Sequence, residues 1–431
     1  MRFDLTIPFA RLLAQYLEQI KLPFRRYHIG PVFRADKPGP GRYRQFTQFD
    51  IDAAGSDSVI VDAEIISAMC DVMRELGLKC KEKDPAGKGE YQVNVNNRHL
   101  LDALLNSCNI QDEQRMKHVL RVIDKIQKVG IDNMKEELAG GRVDESGDSI
   151  PGVGLDSDTI DKIVEFISVA GANREHVIQH LESVLPSNKI TDYALAEMRT
   201  LAEALNSLCI MQSEAAFVPS LTRGLDYYTG PVFEAVLLNA PEVGSVMGGG
   251  RYDQLVDRFL DDTKIPATGA SIGLERLLTG LASAGVLEQE QSTTQAMVII
   301  MKGVSYSDQL RVARELRDND IATEVYLGPL EKRIVSEQPS YADDHTMKLE
   351  ATMSEQLSYA NDHAIPIAII LGPDEVTNHT VSLKDLVVGK KGREGVSDKE
   401  EYRKRGRTGQ ITVERSKMVE TVRDLLAGYQ K

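Results

Sequence analysis

The sequence feature that most constrains the fold is a pair of β-like runs, residues 25–36 and 44–53, separated by Lys37-Pro-Gly-Pro-Gly41. Proline and glycine favour turns, and a turn between two strand-like runs indicates a β-hairpin. The second run alternates apolar residues with polar ones that share one face of a strand: Gln48, Asp50 and Asp52. The pattern therefore predicts a long antiparallel hairpin with one apolar face and one polar face.

This hairpin region is also strongly basic. Residues 21–44 carry seven lysine and arginine side chains and one acidic side chain, Asp36, which gives a local net charge of +6. The whole chain, in contrast, has a formal net charge of −14. A local cationic surface suits a phosphate-bearing ligand or a polynucleotide, although a solvated basic edge would explain the same charges. The acidic total therefore does not exclude a nucleic-acid partner.

The remaining sequence predicts a two-part core, a helical insertion and a separate α/β domain. We expect these parts to span residues 1–97 (core, first part), 98–209 (mostly helical insertion), 210–291 (core, second part) and 295–431 (α/β domain). Helical periodicity occurs at 8–20, 58–78 and 271–284, and strand-like runs occur at 91–95 and 226–237. After residue 295 strand and helix signals alternate, as in a small α/β domain. Two charged stretches, 331–350 and 389–410, predict solvated loops within it.

Several classes of protein are excluded by composition. No apolar run approaches the length of about 18 residues that a membrane span needs. The four cysteines form no CxxC pair, and His176 and His180 lack the glutamate of an HExxH zinc site. We therefore expect a cytoplasmic protein with reduced cysteines, no membrane contact and no protein-built metal site.

Three further motifs combine charged, aromatic and glycine residues. RGLDYYTG (223–230) places Tyr227 beside Tyr228; on a strand the two would point to opposite faces, one into the core and one into a pocket. GGGRYD (248–253) predicts a glycine-rich turn that a ligand or another backbone approaches closely and that opens a helix. GLER (273–276) places an arginine near the positive end of a leucine-striped helix, where anions bind.

Taken together and in this order, the motifs resemble those of class II aminoacyl-tRNA synthetases, specifically the histidyl-tRNA synthetase family. FRADKPGPGRYRQFTQFDID (33–52) is similar to the second class motif, and GASIGLERLLTGL (269–281) is similar to the third. RGLDYYTG and GGGRYD resemble the two histidine-specific signatures, and RFDLT (2–6) resembles the family's amino-acid loop. The resemblance covers nearly the whole chain. It implies an α/β (α+β) fold with a class II antiparallel sheet, flanking helices, a helical insertion and a C-terminal α/β anticodon-binding domain.

The resemblance also implies an activity and a set of site residues. The enzyme would activate histidine with ATP to histidyl-adenylate and transfer it to the 3′-terminal adenosine of histidine tRNA, with Mg²⁺ on the outer phosphates. The catalytic residues would be Arg34, Arg223 and Arg276. The ATP contacts would be Arg34, Asp36, Arg42 and Arg276. The histidine contacts would be Asp4, Thr6, Gln48, Asp52, Tyr227 and Tyr228. Three arginines from three segments suit the crowded, charged transition state of adenylation, which needs positioned cations.

One departure from the family's pattern concerns the start of the chain. The chain begins inside the amino-acid loop, without the family's first motif, which builds a dimer interface. We therefore expect a truncated chain, which forms a homodimer where the N-terminal segment is present. Two non-catalytic paralogues remain alternatives: a regulatory subunit of ATP phosphoribosyltransferase and a sensor of uncharged tRNA. Retention of Arg34, Arg223 and Arg276 favours the enzyme.

Overall fold

A computed structural model describes the chain in eight stretches: 1–143, 147–223, 227–260, 263–287, 292–299, 301–326, 352–391 and 409–429. The chain divides into two compact units, residues 1–288 and 289–431. In the described residues, no helix is both long enough and apolar enough to cross a membrane. The four cysteines are free.

The first unit combines a large sheet with nine α-helices in its described residues. Its strands are β1 Phe24–Phe33, β2 Gln45–Ala54, β3 Tyr91–Asn97, β4 Gly141–Val143, β5 Ser149–Pro151, β6 Ala215–Phe217, β7 Pro231–Leu237, β8 Ser245–Arg251 and β9 Ala267–Gly273. Its helices are α1 Thr6–Tyr16, α2 Val59–Glu75, α3 Arg98–Ser107, α4 Glu113–Asp124, α5 Ile126–Leu138, α6 Ser157–Ile167, α7 Arg174–Val184, α8 Lys189–Ser207 and α9 Leu274–Ser283.

The large sheet has seven strands in the order β1-β2-β9-β8-β7-β3-β6. All neighbours run antiparallel except β3 and β6, which are parallel. Strands β4 and β5 form a separate two-stranded hairpin. Because β2, β9 and β8 are adjacent although far apart in sequence, the sheet brings the predicted motifs together.

The predicted hairpin is present as β1 and β2, which pair antiparallel along their whole length. The polar side of β2 faces inward: Gln48, Asp50 and Asp52 are buried, whereas Phe49 and Ile51 are only partly buried against the main core. Burying carboxyl groups costs free energy unless partners compensate. The inward polar face therefore indicates a ligand site on this side of the sheet.

Helices α3 to α8 form the predicted insertion, and they share one hydrophobic core with the sheet. Five of these helices begin at a side chain that accepts a hydrogen bond from a first-turn N–H group: Asn97, Asp112, Asp156, Asn173 and Asn188. Such caps satisfy backbone donors that the helix itself leaves free. The caps explain why this polar stretch breaks into several short helices.

The predictions for the GGGRYD region and the start of α9 are wrong. Gly248, Gly249 and Gly250 lie inside strand β8 and form no turn, and the following residues contain only a 3₁₀ turn, Val256–Arg258. The backbone of Tyr252 donates to the Ala267 carbonyl, and the Asp253 carboxylate accepts from the Ala267 N–H group. These bonds to a neighbouring segment compete with helix formation. The helix predicted to start at residue 271 begins three residues later, because Ser271–Gly273 end strand β9.

The second unit is a five-stranded mixed sheet with helices. Its strands are β10 Ala296–Ile299, β11 Thr323–Val325, β12 Ile367–Ile370, β13 Thr380–Asp385 and β14 Gln410–Glu414. Its helices are α10 Tyr306–Arg317, α11 Met353–Asp362, α12 Pro373–Thr377, α13 Leu386–Lys391 and α14 Met418–Ala427. The strand order is β11-β10-β12-β13-β14, with β10 parallel to both neighbours and the other pairs antiparallel.

Both faces of the central strands of this sheet are buried. Alternate residues of β10 and β12 enter two different hydrophobic cores, one on each side of the sheet. Two-sided burial requires continuous apolar runs instead of an alternating pattern. The strand–helix alternation predicted from the sequence is thus confirmed. The predicted loop 331–350 lies outside the described residues, as does 389–410 apart from its ends.

We predict that replacing Arg174 by methionine destabilises the first unit. The Arg174 side chain is 2% exposed and donates to four acceptors: the Ala215, Ile210 and Met211 carbonyls and the Asn206 side chain. Methionine would remove the donor from these carbonyl groups, so the free energy of unfolding should fall by about 2–4 kcal/mol. Urea unfolding measures this change.

A matched control is Arg199→Met, which removes a partly exposed arginine that pairs with Glu182 on the surface of the same helical layer. Its effect on the free energy of unfolding should stay within about 0.5 kcal/mol. Equal destabilisation by the two variants would contradict the structural role of Arg174.

Candidate active site

A cleft of about 1000 Å³, including its open mouth, lies on the buried polar side of the hairpin. Its walls come from the N-terminal segment, the hairpin and its loop, the residues before β7, and elements β8, β9 and α9. All the predicted site residues but one line this cleft: Asp4, Thr6, Arg34, Asp36, Arg42, Gln48, Arg223, Tyr227, Tyr228 and Arg276. Segments more than 200 residues apart in sequence therefore form a single site.

The exception is Asp52, which is absent from the cleft wall. Its carboxylate is buried, forms an ion pair with Arg26 at 2.9 Å, and accepts a hydrogen bond from the Tyr252 hydroxyl. Burial raises the pKa of Asp52, and the Arg26 charge and the Tyr252 hydrogen bond oppose this rise. Arg26 thus neutralises Asp52 inside the protein, and the Asp52 carboxylate does not reach the cleft.

Four arginines, Arg34, Arg42, Arg223 and Arg276, form what we call the arginine cluster. Burial lowers the pKa of the Arg276 guanidinium, and repulsion from Arg42, Arg223 and Arg34 lowers it further. Among the described residues only Arg223 of this cluster has an ion-pair partner, Glu234 at 3.1 Å. Clustered cations with so few carboxylates favour a polyanionic ligand such as a triphosphate.

Backbone contacts hold Arg276 at the start of α9. Its guanidinium donates to the Ser245 carbonyl at 3.0 Å and to the Gly41 carbonyl at 3.5 Å. Gly41 has a φ of 63°, and a Cβ atom there would lie 3.1 Å from the Arg276 Cα atom. Glycine is required at this turn because of both its backbone angle and the close approach of α9. The hairpin loop therefore packs directly against the arginine of the third motif.

Different contacts orient the other two predicted catalytic arginines. The Arg34 guanidinium lies over the rings of Phe3 and Phe46, at 4.5 Å and 5.1 Å from their centroids, and donates to the Phe3 carbonyl. Arg223 donates to the Ser245 hydroxyl at 2.7 Å. Its Nη1 atom lies only 2.4 Å from where a Cβ atom of residue 248 would be, so glycine at 248 makes room for it. At Gly248 the close approach is thus by a side chain, whereas the predicted approach of another backbone occurs at Gly249, which faces the Gly269 carbonyl.

A second charged group contains Asp4, Asp50 and Asp52. The Asp4 carboxylate accepts from the N–H group of Ile7 at the start of α1. Burial raises the pKa of Asp50 to about 7, and the charges of Asp52 and Asp4 add to the effect, while Ser271 and Arg26 oppose it. Only Arg26 among these groups is a cation. This part of the site therefore favours a positively charged ligand group.

The two tyrosines do not point to opposite faces, as predicted for a strand. Tyr227 and Tyr228 precede β7, and both line the cleft, with ring centroids 4.5 Å apart. The Tyr227 hydroxyl donates to the Tyr228 hydroxyl at 3.4 Å. Burial raises the pKa of both hydroxyls, so both are neutral at pH 7 and can donate and accept. A neutral imidazole needs one donor and one acceptor, and this pair provides both.

Comparisons with known proteins agree with the motifs. Residues 1–277 match the family model "Histidyl-tRNA synthetase". The chain is 36% identical over 435 residues to a histidine–tRNA ligase of Ruegeria pomeroyi, covering 99% of this chain and 81% of the relative. It is 37% identical over 441 residues to that of Rhizobium meliloti, again covering 99% and 81%. The chain belongs to the histidyl-tRNA synthetase family.

Solved structures of this family confirm the predicted fold. The crystal structure of histidyl-tRNA synthetase from Nostoc sp. PCC 7120 has a TM-score of 0.63 and 25% identity, covering 98% of this chain and 83% of that chain. The apo Staphylococcus aureus structure has a TM-score of 0.53 and 20% identity, and covers 98% and 83%, which supports the fold alone. The class II antiparallel sheet with flanking helices, the helical insertion and the C-terminal α/β unit are as the family resemblance implied.

The structure also reveals a residue that sequence reasoning missed in this histidyl-tRNA synthetase family member. Glu275, next to Arg276, accepts from the Thr47 N–H group with both carboxylate oxygens, at 2.9 Å and 2.8 Å, and from the Thr47 hydroxyl at 3.0 Å. Thr47 precedes Gln48 on β2. This contact ties the third motif to the second across 228 residues of sequence. No local signal predicts the partner of an acidic residue in a GLER string.

We predict that Glu275→Gln weakens both stability and activity. Glutamine has one acceptor oxygen where glutamate has two, so the free energy of unfolding should fall by about 1–2 kcal/mol. Amino-acid-dependent ATP–pyrophosphate exchange should fall as well, because Arg276 and Gln48 would lose their fixed spacing. Thermal unfolding and exchange kinetics measure the two effects.

The control is Glu165→Gln, on the exposed side of α6. It should change stability by no more than about 0.5 kcal/mol and leave exchange unchanged. If Glu275→Gln behaved like this control, the contact with Thr47 would have no role in holding the two motifs together.

Proposed function

We propose that this chain is a histidine–tRNA ligase. It would activate histidine with ATP to histidyl-adenylate, release pyrophosphate, and transfer the histidyl group to the 3′-terminal adenosine of histidine tRNA. The observation that carries the proposal is one cleft that combines an arginine cluster, a carboxylate group and a neutral tyrosine pair. Family membership and full-length relatives named histidine–tRNA ligase support the same reaction.

In the first step, a histidine carboxylate oxygen would attack the α-phosphorus of ATP, and the bond to pyrophosphate would break. Arg34 and Arg223 would hold the α-phosphate, and Arg276 the γ-phosphate, while Asp36 and Arg42 would contact adenine and the outer phosphates. Negative charge accumulates on phosphate oxygens as the reaction proceeds. Fixed arginines stabilise such charge without reorganisation, and losing one contact of this kind typically costs roughly 10²–10³ in rate.

Histidine would bind between the tyrosine pair and the carboxylate group. Tyr227 and Tyr228 would hydrogen-bond the imidazole ring, since their neutral hydroxyls supply a donor and an acceptor. Asp4, Thr6 and Gln48 would lie around the α-amino group. We do not assign Asp52 to this group, because Arg26 already neutralises it.

Mg²⁺ would accompany ATP in this proposal. No three His, Cys, Asp or Glu side chains in the described residues form a metal cage. Asp36 is the carboxylate that lines the cleft beside the arginine cluster, and Mg²⁺ commonly takes few protein ligands together with phosphate oxygens and water. The donor set therefore fits an ion held mainly by the phosphates, where it would neutralise charge on them.

The tRNA and a second copy of the chain are the proposed macromolecular partners. The basic hairpin and its loop, residues 37–41, would contact the acceptor end, and the C-terminal unit would bind the anticodon. A homodimer would cover an apolar surface of the sheet's edge strand β1, where Tyr27 is 75% and Ile29 is 54% exposed. Exposed apolar groups on an edge strand favour association with another chain.

The proposal predicts ATP–pyrophosphate exchange that depends on histidine. We expect exchange with histidine to exceed exchange with each other amino acid by at least about 10³, because a site built on hydrogen bonds rejects ligands that lack the matching groups. The measurement is incorporation of labelled pyrophosphate into ATP. Exchange with another amino acid alone would contradict the assignment. Histidine binding without any exchange would favour a non-catalytic paralogue.

A second prediction concerns Arg223→Ala. Because Arg223 would act on charge that develops in the transition state, the variant should lower the exchange rate by roughly 10²–10³ and weaken ATP binding by no more than about tenfold. Exchange kinetics and ATP titration measure the two effects. Arg44→Ala, an exposed arginine of the same basic hairpin, is the control and should keep near-normal exchange. Equal loss of binding and rate in Arg223→Ala would contradict its role in the transition state.

A further inference from the structure

One carboxyl group beside the cleft lacks the partner that comparable groups have. Asp50 is 1% exposed, and its Oδ1 atom has no hydrogen-bond partner within 3.5 Å. Its Oδ2 atom accepts from the Thr6 hydroxyl at 3.5 Å, and the facing Ser271 hydroxyl also stabilises the carboxylate. In the described residues Asp50 forms no ion pair. An isolated buried carboxyl group costs the fold free energy, so its presence requires a reason.

Four other buried carboxyl groups of the first unit pair with an arginine, whereas Asp4, on the cleft wall, forms no ion pair in the described residues. The pairs are Asp52–Arg26, Asp62–Arg251, Glu137–Arg142 and Glu214–Arg74. Among the described residues, the two buried acids of the first unit without an arginine, Asp4 and Asp50, both lie at the cleft. Asp50 lies directly beside the candidate site, since Thr6, Gln48 and Ser271 line the cleft around it.

A neighbouring acceptor shows the same shortage of donors. Gln48 lies two residues before Asp50 on the same face of β2, is buried, and lines the cleft. Its Oε1 atom also has no hydrogen-bond partner among the described residues. The free Gln48 oxygen on the cleft wall favours a ligand group that donates a hydrogen bond, and the Asp50 carboxyl group behind that wall favours a ligand group with a positive charge. An ammonium group has these properties, whereas a neutral imidazole lacks the charge.

We propose that Asp50 is the buried counter-charge for the α-ammonium group of the amino-acid substrate. Gln48 Oε1 accepts directly from the ammonium. Asp50 acts through Thr6: it accepts a hydrogen bond from the Thr6 hydroxyl group, which leaves the lone pairs of the Thr6 oxygen free to accept from the ammonium. Asp50 is therefore a positioning residue, and the substrate supplies the cation that the fold omits. This inference rests on the proposed function and places Asp50 in the role that the family resemblance gave to Asp52.

The environment of Asp50 favours this assignment over a structural role. The aspartates nearby, Asp4 and Asp52, repel its charge, and Arg26 is engaged with Asp52. A carboxyl group kept for structure would be expected to have its own arginine, as Asp62 has Arg251. Burial of the Asp50 carboxyl group therefore destabilises the ligand-free protein, because hydroxyl hydrogen bonds replace the ion pair that a bound cation would provide.

The test compares two ligands and two variants of the full chain by calorimetry. The ligands are histidine and 3-(imidazol-4-yl)propionate, which has the same ring and carboxylate but no amino group. Asp50→Asn should weaken histidine binding about 10- to 100-fold, as expected when interactions with a charged group are lost. The same variant should change binding of the propionate by less than about threefold, because that ligand has no ammonium to lose. Thr6→Val should likewise weaken histidine binding and leave propionate binding nearly unchanged.

Stability measurements separate this role from a structural one. Asp50→Asn should unfold at the same temperature as the wild-type protein or higher, because it removes an unpaired buried acid. The matched control, Asp62→Asn, breaks a buried ion pair and should unfold at a lower temperature. A lower unfolding temperature or failure to fold in Asp50→Asn would overturn the proposal.

If Asp50→Asn lost equal affinity for the two ligands, or lost affinity for neither, the proposal would also be overturned. Failure of the proposed function gives a different result, since the wild-type protein would then bind neither ligand. Normal amine-dependent binding by Asp50→Asn, together with full histidine-dependent exchange, would reject the role of Asp50 and leave the ligase assignment intact.

Discussion

The inward polar face of strand β2 is the constraint on which the rest of the first unit depends. A strand between two neighbours cannot rotate, because a shift of one residue would exchange its faces and break both ladders. With β1 on one side and β9 on the other, Gln48, Asp50 and Asp52 must therefore stay buried. Other elements then supply compensating groups: Arg26 from β1 and Tyr252 from the segment after β8.

This arrangement leaves two groups of like charges that the protein does not fully neutralise. Repulsion among the arginines lowers the pKa of Arg276, and repulsion from neighbouring aspartates adds to the burial that raises the pKa of Asp50. Each group disfavours the empty state and favours a ligand of opposite charge. A reaction that joins a zwitterionic amino acid to a polyanionic nucleotide provides both ligand groups at once. Unfavourable electrostatic energy of this kind is common at functional sites.

The outcomes of individual predictions show which physical signals a sequence contains. The hairpin was predicted correctly because its turn chemistry and alternation are local, and the C-terminal unit because buried strands are short apolar runs between helices. The glycine run was misread as a turn, since glycine also serves where side chains of neighbouring segments need room, as Arg223 does at Gly248. Tyr227 and Tyr228 were assigned to opposite faces on the assumption of a strand, which begins only after them.

The sequence by itself determined most element types, the family and ten residues that line the cleft, because periodicity, turn residues and motifs are properties of neighbouring positions. Only the tertiary structure decided which buried aspartate has an internal cation. Asp50 and Asp52 are equivalent by alternation, yet Arg26 pairs with one of them alone. The tertiary structure also decided that Glu275 accepts hydrogen bonds from Thr47, which lies 228 residues away in sequence. Pairings of this kind depend on where the folded backbone brings charges within a few ångströms, which no local pattern records.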